Sequence, residues 1–150
     1  MLEVLQQFRV VVQAIRKHYA KVEKRSGMTG AQLWALTHIA AQPGITVGEL
    51  ARAMAVHQST ASNLLERLVA LEYVDKRRDG NDQRTVRLHA TPRGIVAQRG
   101  APQPRTGVLQ QALAELPPAS LVALRTHLSK LIELMRGKDR RARRTPLSEM

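Results

Sequence analysis

The chain has 150 residues, 43% of them hydrophobic, which suits a single folded domain and excludes disorder along the whole length. Its formal net charge is +12, from 24 lysine and arginine residues against 12 aspartate and glutamate residues, and such an excess favours a polyanionic partner. Aromatic residues make up only 3%, too few for a platform that stacks single-stranded bases, and the absence of cysteine excludes disulfides and thiolate metal sites.

Several classes of function lack their signals in this sequence. No apolar run approaches the ~20 residues that a membrane helix needs, and the N-terminal segment lacks the order of a signal peptide. We therefore expect a cytoplasmic protein without a membrane partner. The five histidines show no metal-ligand spacing, and the acidic residues form no general acid–base pair. We expect no metal, no cofactor and no enzymatic activity.

The first two predicted elements are helices. Apolar residues recur at intervals of three and four along an N-terminal helix that ends at Ser26-Gly27. They form one stripe: Leu5, Phe8, Val12, Ile15, Tyr19 and Val22. Thr29 can cap a second helix, which Pro43-Gly44 stops because neither residue continues a helix well.

A short helix, a tight turn and a longer helix follow. Thr46 and Glu49 form a capping box, whose side chains can satisfy the first free amides of a helix that ends near Met54. A turn at residues 55–57 leads into a fourth helix over about residues 58–71. Its buried side is aliphatic: Ala61, Leu64, Leu65 and Leu68. This order is that of a helix-turn-helix, in which the second helix of the pair lies in the major groove of duplex DNA.

The periodicity changes from helix to strand after Glu72. Residues 73–76 form one predicted strand, and in a second strand over residues 85–90 Val86, Leu88 and Ala90 alternate with polar residues. Turn-forming residues at 78–82 join the two strands into a hairpin. Because the hairpin follows the fourth helix directly, we interpret it as the wing of a winged helix-turn-helix.

The C-terminal part is helical and ends in a basic tail. Thr91 can cap a further helix that has Pro92 at its first position and that residues 101–104 interrupt or bend, and Pro117-Pro118 precedes the last helix. The last helix has its own apolar stripe: Leu121, Leu124, Leu128, Leu131 and Met135. Residues 136–150 are basic and without periodicity, and we interpret them as a mobile tail that is either simply solvated or adds non-specific DNA affinity. The fold predicted is mainly α, with six helices and a two-stranded β-hairpin wing.

Polar residues of the fourth helix and cations of the hairpin are the candidate DNA contacts. Short hydrogen-bonding groups cluster at the N-terminal end of the helix, where base edges and phosphates are reached. Arginine on a hairpin of this size is attracted by the negative potential of the minor groove. The candidates are Gln58, Ser59, Thr60, Ser62, Asn63, Arg67, Arg77, Arg78 and Arg84, while Lys76 and Arg87 also flank the wing tip. Asp82 would repel phosphate, so we interpret it as an internal partner of Arg84 or Arg78 that positions the wing.

From Thr46 to Gly94 the sequence resembles the MarR family of bacterial regulators. The most specific part is Asp82-Gln83-Arg84 followed by Leu88, Thr91 and Gly94, which fits the family's D-x-R…L…T-x-x-G wing signature. The family's dimerising helices match residues 5–22 and about 107–135. Ala90 stands where the family often has leucine, and residues 136–150 lie outside the resemblance.

The resemblance implies an organisation and a set of roles. A single domain over residues 1–135 would hold a DNA-binding lobe at about 28–94 and dimerisation helices at about 1–26 and 95–135. Arg84 would enter the minor groove, Asp82 would hold the wing through a salt bridge, and the helix from Gln58 would read the major groove. Family members bind small aromatic acids between the dimerising helices and the DNA-binding lobe. Three residues are candidates for such a pocket, with the protein core as the alternative: Tyr19, Trp34 and His38.

We therefore expect a DNA-binding transcription regulator. It would act as a homodimer that represses by occupying a pseudo-palindromic operator, and a small aromatic acid would release it. The alternative is a winged helix that binds RNA or docks a protein. RNA binders usually carry stacking aromatic residues, which this wing lacks, and a docking module needs no basic wing.

Overall fold

The computed structural model describes residues 1–78, 85–135, 142 and 144–149. Within these residues the fold is mainly helical with a small antiparallel sheet, as the sequence predicts. The helices are α1 (Leu2–Ser26), α2 (Gly30–Ala41), α3 (Val47–Ala53), α4 (Gln58–Ala70), α5 (Pro92–Gly100), α6 (Val108–Glu115) and α7 (Pro118–Leu134). The strands are β1 (Ile45–Thr46), β2 (Val74–Arg78) and β3 (Val86–Ala90), and a 3-10 turn spans Leu147–Glu149.

Local side-chain hydrogen bonds begin three of these helices. Thr29 and Thr46 each accept a hydrogen bond from the backbone amide three residues ahead, and Gln32 and Glu49 bond back to the threonine amides. At α5, the Thr91 hydroxyl accepts from the Gly94 amide at 3.0 Å. Such caps satisfy amides that have no partner within the helix, so they fix where each helix starts. All three predicted caps are confirmed.

The hydrophobic core lies between α2, α3, α4 and the sheet. Its largest fully buried side chains come from these elements, from the end of α1 and from the connection between α1 and α2: Met28, Leu33, Leu36, Ile39, Leu50, Leu65, Leu68, Leu88, Val22 and Val74. The predicted aliphatic side of α4 is buried in full. The turn between α3 and α4 places Ala55 at a φ of 54° and buries Val56, whose amide donates to the Ala51 carbonyl at 3.0 Å. The core therefore holds α3 and α4 as a fixed pair.

The sheet has three strands in the order β1-β3-β2. The hairpin of β2 and β3 is the predicted wing, and Leu88 is its buried residue, as the alternation indicates. The third strand was not predicted. β1 pairs with β3 through Ile45 opposite Leu88 and Thr46 opposite Arg87, and two residues are too few to show an alternating pattern.

The C-terminal region differs from the sequence prediction in one respect. The prediction has one helix after Thr91, interrupted or bent near residue 102, whereas the structure has two helices, α5 and α6, separated by residues 101–107. Pro102 and Pro104 have no amide hydrogen for the helix ladder, and Gly107 takes a φ of 105° before α6 begins. The described residues thus form seven α-helices rather than six.

The end of the basic tail lies on the folded lobe. Pro146 is buried, and the Ser148 hydroxyl oxygen accepts a hydrogen bond of 2.9 Å from the Ala31 amide in the first turn of α2. Residues 136–141 of the predicted mobile tail lie outside the described residues. None of the helices described here is long and apolar enough to cross a bilayer.

Candidate nucleic-acid interface

Helix α4 presents its polar side outward because its aliphatic side faces the core. Gln58, Ser59, Asn63 and Arg67 are exposed, while two further candidates, Thr60 and Ser62, are partly buried. All six candidate contacts of α4 therefore lie at the surface or at its edge, on a helix that the core holds rigidly. This placement agrees with the sequence prediction, while contact with DNA itself stays a prediction.

The N-terminal end of α4 is open in a way that suits a phosphate. His57 occupies the N-cap position, and no side-chain cap bonds the first amides of the helix within the described part of the chain. Within the described residues α2, α3 and α5 have such caps, whereas α1, α6 and α7 lack them as α4 does. Uncapped amides combined with the positive end of the helix dipole favour an anion at this position. Ser62 donates its hydroxyl proton to the Gln58 carbonyl at 2.9 Å, so toward a ligand its hydroxyl oxygen can act as an acceptor.

The wing presents a cationic edge. Strand β2 is an edge of the described sheet, and after buried Val74 its next four residues are all exposed: Asp75, Lys76, Arg77 and Arg78. Arg77 approaches Asp75 with a nitrogen–oxygen distance of 3.7 Å, in an ion pair exposed enough to contribute little to stability. Arg77 and Arg78 are therefore accessible, as predicted for DNA contacts. Asp82 and Arg84, at the predicted wing tip, lie outside the described residues.

Arg87 differs from the cations of β2 in where its side chain lies. The sequence groups it with the residues that flank the tip, but its guanidinium Nη1 donates to the Gly44 carbonyl oxygen at 3.1 Å. Its side chain is half-buried, whereas that of Arg77 on the paired strand is 64% exposed. A backbone acceptor far away in sequence cannot be inferred from a charge pattern, so sequence reasoning missed this hydrogen bond.

The base of the wing is held by a second set of contacts that the sequence did not reveal. Arg93 forms an ion pair with Glu72 and stacks over the ring of Tyr73, with 5.7 Å from the guanidinium carbon to the ring centroid. The Thr91 hydroxyl donates to the Glu72 carbonyl at 2.7 Å. Gly94 lies against the backbone of Tyr73. These contacts fix the start of α5 to the start of β2.

The three candidate pocket residues lie along one side of α2. The rings of Trp34 and His38 are 5.8 Å apart, one helical turn from each other. Tyr19 of α1 packs against Gly30, one turn before Trp34, and its hydroxyl lies 3.4 Å from Nε2 of Gln110. Within the described structure, Trp34 Nε1 and His38 Nε2 are buried without a hydrogen-bond partner. Buried polar atoms normally have partners, so these two atoms are candidates for hydrogen bonds to a polar ligand, and the pocket role stays a prediction.

Burial lowers the pKa of His38 below its ordinary value of 6.5. The unfolded chain therefore binds a proton that the folded chain resists, and the free energy of unfolding should fall as the pH drops below about 6.5 and level off below the folded-state pKa. We expect a His38→Gln variant to show a weaker loss of stability between pH 7 and pH 5 in urea titrations. His18, whose pKa is also lowered mainly by burial, should sustain the rest of the loss. An unchanged pH dependence in the variant would contradict this assignment.

No group of three or more histidine, aspartate or glutamate side chains in the described ranges is placed to hold a metal ion. The site is thus a helix and a hairpin that together offer hydrogen-bonding groups and positive charge.

Comparison with known proteins gives a family match for the segment that contains α4 and part of the wing. Residues 26–85 match the MarR family. The resemblance predicted from the sequence is confirmed over this segment, which includes α2, α3, α4 and β2. The search of curated proteins gave no match.

Solved structures share the MarR fold along most of the chain. A MepR-like protein complexed with pseudoligands has a TM-score of 0.62 at 19% sequence identity, covering 87% of this chain and 92% of that chain. The YusO protein from Bacillus subtilis has a TM-score of 0.58 at 20% identity, covering 90% and 96%. A mutant MarR from E. coli complexed with operator DNA has a TM-score of 0.56 at 22% identity, covering 87% and 96%. At these identities the likeness establishes the fold, which is that of MarR-family transcription regulators.

Proposed function

We propose that this protein is a transcription regulator that binds duplex DNA as a homodimer through α4 and the wing. One observation carries the proposal. The uncapped, polar N-terminal end of α4 and the cationic edge of β2 belong to one small lobe whose core fixes both elements. A structural neighbour with the same fold is complexed with operator DNA.

The two surfaces suit different features of a duplex. Short polar side chains such as Ser59 and Asn63 can reach base edges in the major groove, where each base pair has its own pattern of donors and acceptors. The arginines of β2 suit the backbone and the minor groove, where phosphates concentrate negative potential. Together they give both sequence preference and salt-dependent affinity.

The terminal helices support the proposed dimer. Large apolar residues of α1 and α7, among them Leu5, Phe8 and Leu131, are exposed in the single chain. A two-fold pair of lobes would face a pseudo-palindromic operator, with each α4 in a successive major groove. Occupying such an operator excludes polymerase, so repression is the simplest outcome.

A small acid is the effector that the described pocket residues suit. Among the described residues Trp34 Nε1 is a buried donor without a partner, and a carboxylate oxygen is an acceptor that would satisfy it. The neighbouring rings of Trp34 and His38 offer flat surfaces to an aromatic ring. Binding there would press on α2, which packs against both α4 and α5, and would thereby change the spacing of the two DNA-binding lobes.

A winged helix that binds RNA or docks a protein is the competing class. The wing residues that are described carry cations and no aromatic ring beyond Tyr73, which is occupied by Arg93. Selection of fragments from a genomic DNA library by the purified protein tests the proposal, with single-stranded RNA as competitor at physiological salt. Recovery of one pseudo-palindromic sequence is expected, and equal competition by RNA would refute the proposal.

The double variant Ser62→Ala, Asn63→Ala is expected to lose discrimination among operator sequences. Removing the side chain that bonds to a base should cost about 1–3 kcal/mol of binding free energy, because the polar edge of that base is left unpaired. Binding of the selected operator and of single-base variants would be measured by fluorescence anisotropy. Glu66→Ala, a change on the exposed side of the same helix, is the control for helix integrity. If the double variant ranks all sequences as the parent does, α4 does not read bases.

Arg84 and Asp82 keep their predicted roles within this proposal. Arg84→Ala should weaken binding, and Asp82→Ala should weaken it too, although a simple count of charges gives the opposite sign for Asp82.

A further inference from the structure

Two arginines face each other directly across the wing. Arg77 of β2 and Arg87 of β3 are cross-strand partners in the register of the hairpin. Like charges directly opposite each other destabilise a sheet unless their side chains diverge. Here the two side chains diverge. Arg77 extends outward toward Asp75, and Arg87 extends to the carbonyl of Gly44, just before the strand at the opposite edge of the sheet, β1.

The hydrogen bond of Arg87 is one of two bonds that join Gly44 to β3. The amide of Gly44 donates to the Leu88 carbonyl at 2.8 Å, and its carbonyl accepts from the Arg87 guanidinium at 3.1 Å. Both polar groups of this turn residue are thus bonded to β3. Gly44 takes a φ of 89°, in the region that favours glycine, and the turn leads directly through β1 into α3. The position of β3 is therefore tied to the segment that starts the helix-turn-helix.

We propose that Arg87 is a positioning residue, whose guanidinium fixes the wing to the turn before the helix-turn-helix instead of contacting DNA. The proposal rests on the proposed function, since the wing must meet DNA for its position to matter. Arg77, at the matched position of the neighbouring strand, is the outward arginine that meets phosphate. The two arginines of this cross-strand pair therefore have different roles: Arg77 binds phosphate, and Arg87 positions the wing.

The charges around Arg87 fit this role. Hydrogen bonds from the backbone and side chain of Thr46 lower the pKa of Glu49, and the positive charges of Arg52 and Arg87 act in the same direction. Arg87 is thus close enough to favour the charged form of the carboxylate that caps α3. The guanidinium that bonds to the Gly44 carbonyl therefore also adds positive charge near the carboxylate that caps α3.

Two variants that remove the same charge separate the two tasks. We expect Arg77→Ala to weaken DNA binding and to lower the slope of log affinity against log salt by about one for each wing, because one phosphate is no longer neutralised by the protein. Arg87→Ala should weaken binding about fivefold or more at every salt concentration, with the slope unchanged. Both would be measured on the selected operator at a temperature where each variant is fully folded by circular dichroism. At that temperature a purely structural role for Arg87 would leave affinity unchanged.

Hydrogen exchange at the Gly44 amide tests the contact between Arg87 and the Gly44 turn in the absence of DNA. Arg87→Ala should speed exchange of this amide about fivefold or more, and Arg77→Ala should leave it as in the parent, because Arg87 bonds to that turn whereas the side chain of Arg77 extends toward Asp75. A salt slope lowered by Arg87→Ala as much as by Arg77→Ala would overturn the proposal, as would unchanged Gly44 exchange. If the parent binds no duplex DNA, the proposed function fails, while the exchange result still tests the link between Arg87 and Gly44.

Discussion

Replacing Gly94 by alanine is expected to lower the free energy of unfolding by about 3 kcal/mol, at the upper end of the usual cost of overpacking. A Cβ on Gly94 would lie 2.1 Å from the carbonyl oxygen of Tyr73 and 2.9 Å from its carbonyl carbon. Both atoms belong to the backbone, so no side chain can rotate away. Relief would require α5 to move away from the start of β2, which would break the hydrogen bond of the Thr91 hydroxyl to the Glu72 carbonyl and the contacts of Arg93.

Gly100→Ala is the matched control, because it adds the same methyl group to the same helix. A Cβ there meets no atom within 4 Å, and Gly100 is the last residue of α5. Alanine restricts the unfolded chain more than glycine does, so stability should stay the same or rise by up to about 1 kcal/mol. Urea titrations of both variants give the comparison. A similar loss of stability in both would show that α5 is sensitive to any change and that the approach to Tyr73 is not the cause.

Sequence reasoning succeeded where the signal is local. The helix caps at Thr29, Thr46 and Thr91 depend on residues three positions apart, and all three form as predicted. The buried side of α4 follows from the 3.6-residue period, and that of β3 from alternation. The lobe of the candidate interface, and the surface position of its α4 residues, could therefore be predicted from these patterns.

Hydrogen bonds between distant parts of the chain could not be predicted from the sequence. Arg87 and Gly44 are 43 positions apart, and Ser148 and Ala31 are 117 positions apart, so no local pattern predicts either hydrogen bond. In the sequence, Arg87 is only one of several cations near the predicted turn of the hairpin. Its task depends on which way the side chain extends, and that is decided by a third strand of two residues, β1. The separation of α5 from α6 was ambiguous because a proline can kink a helix or end it.

The last prediction concerns the dimer, for which the terminal helices give the physical reason. The apolar stripe predicted on α1 is buried only at its C-terminal end, where Val22 is fully inside, while Leu5 is 45% and Phe8 39% exposed. Helix α7 likewise has no buried residue within the described structure. Exposed apolar residues repeated along two helices form a surface that a second copy of the chain would cover.

The double variant Leu5→Glu, Phe8→Glu should therefore raise the dissociation constant of the dimer at least about a hundredfold. Two-fold symmetry places each substitution in the interface twice, and an unpaired buried carboxylate costs several kcal/mol in desolvation. Sedimentation velocity across a range of protein concentrations measures the shift. A parent chain that sediments as a folded 16.7 kDa monomer at micromolar concentration would refute the dimer itself.

Net charge cannot produce this result, and a control variant shows why. Each protomer carries a formal charge of +12, so added carboxylates reduce the general repulsion between two copies and would favour association. Gln13→Glu adds a carboxylate to an exposed position of α1 away from the stripe, and we expect it to leave the dimer intact. Dissociation by the stripe variant alone would assign the interface to the apolar side of α1. Because the proposed function requires two lobes to bind together on a pseudo-palindromic operator, the same variant should then lose most of its operator affinity, while non-specific binding by each single lobe persists.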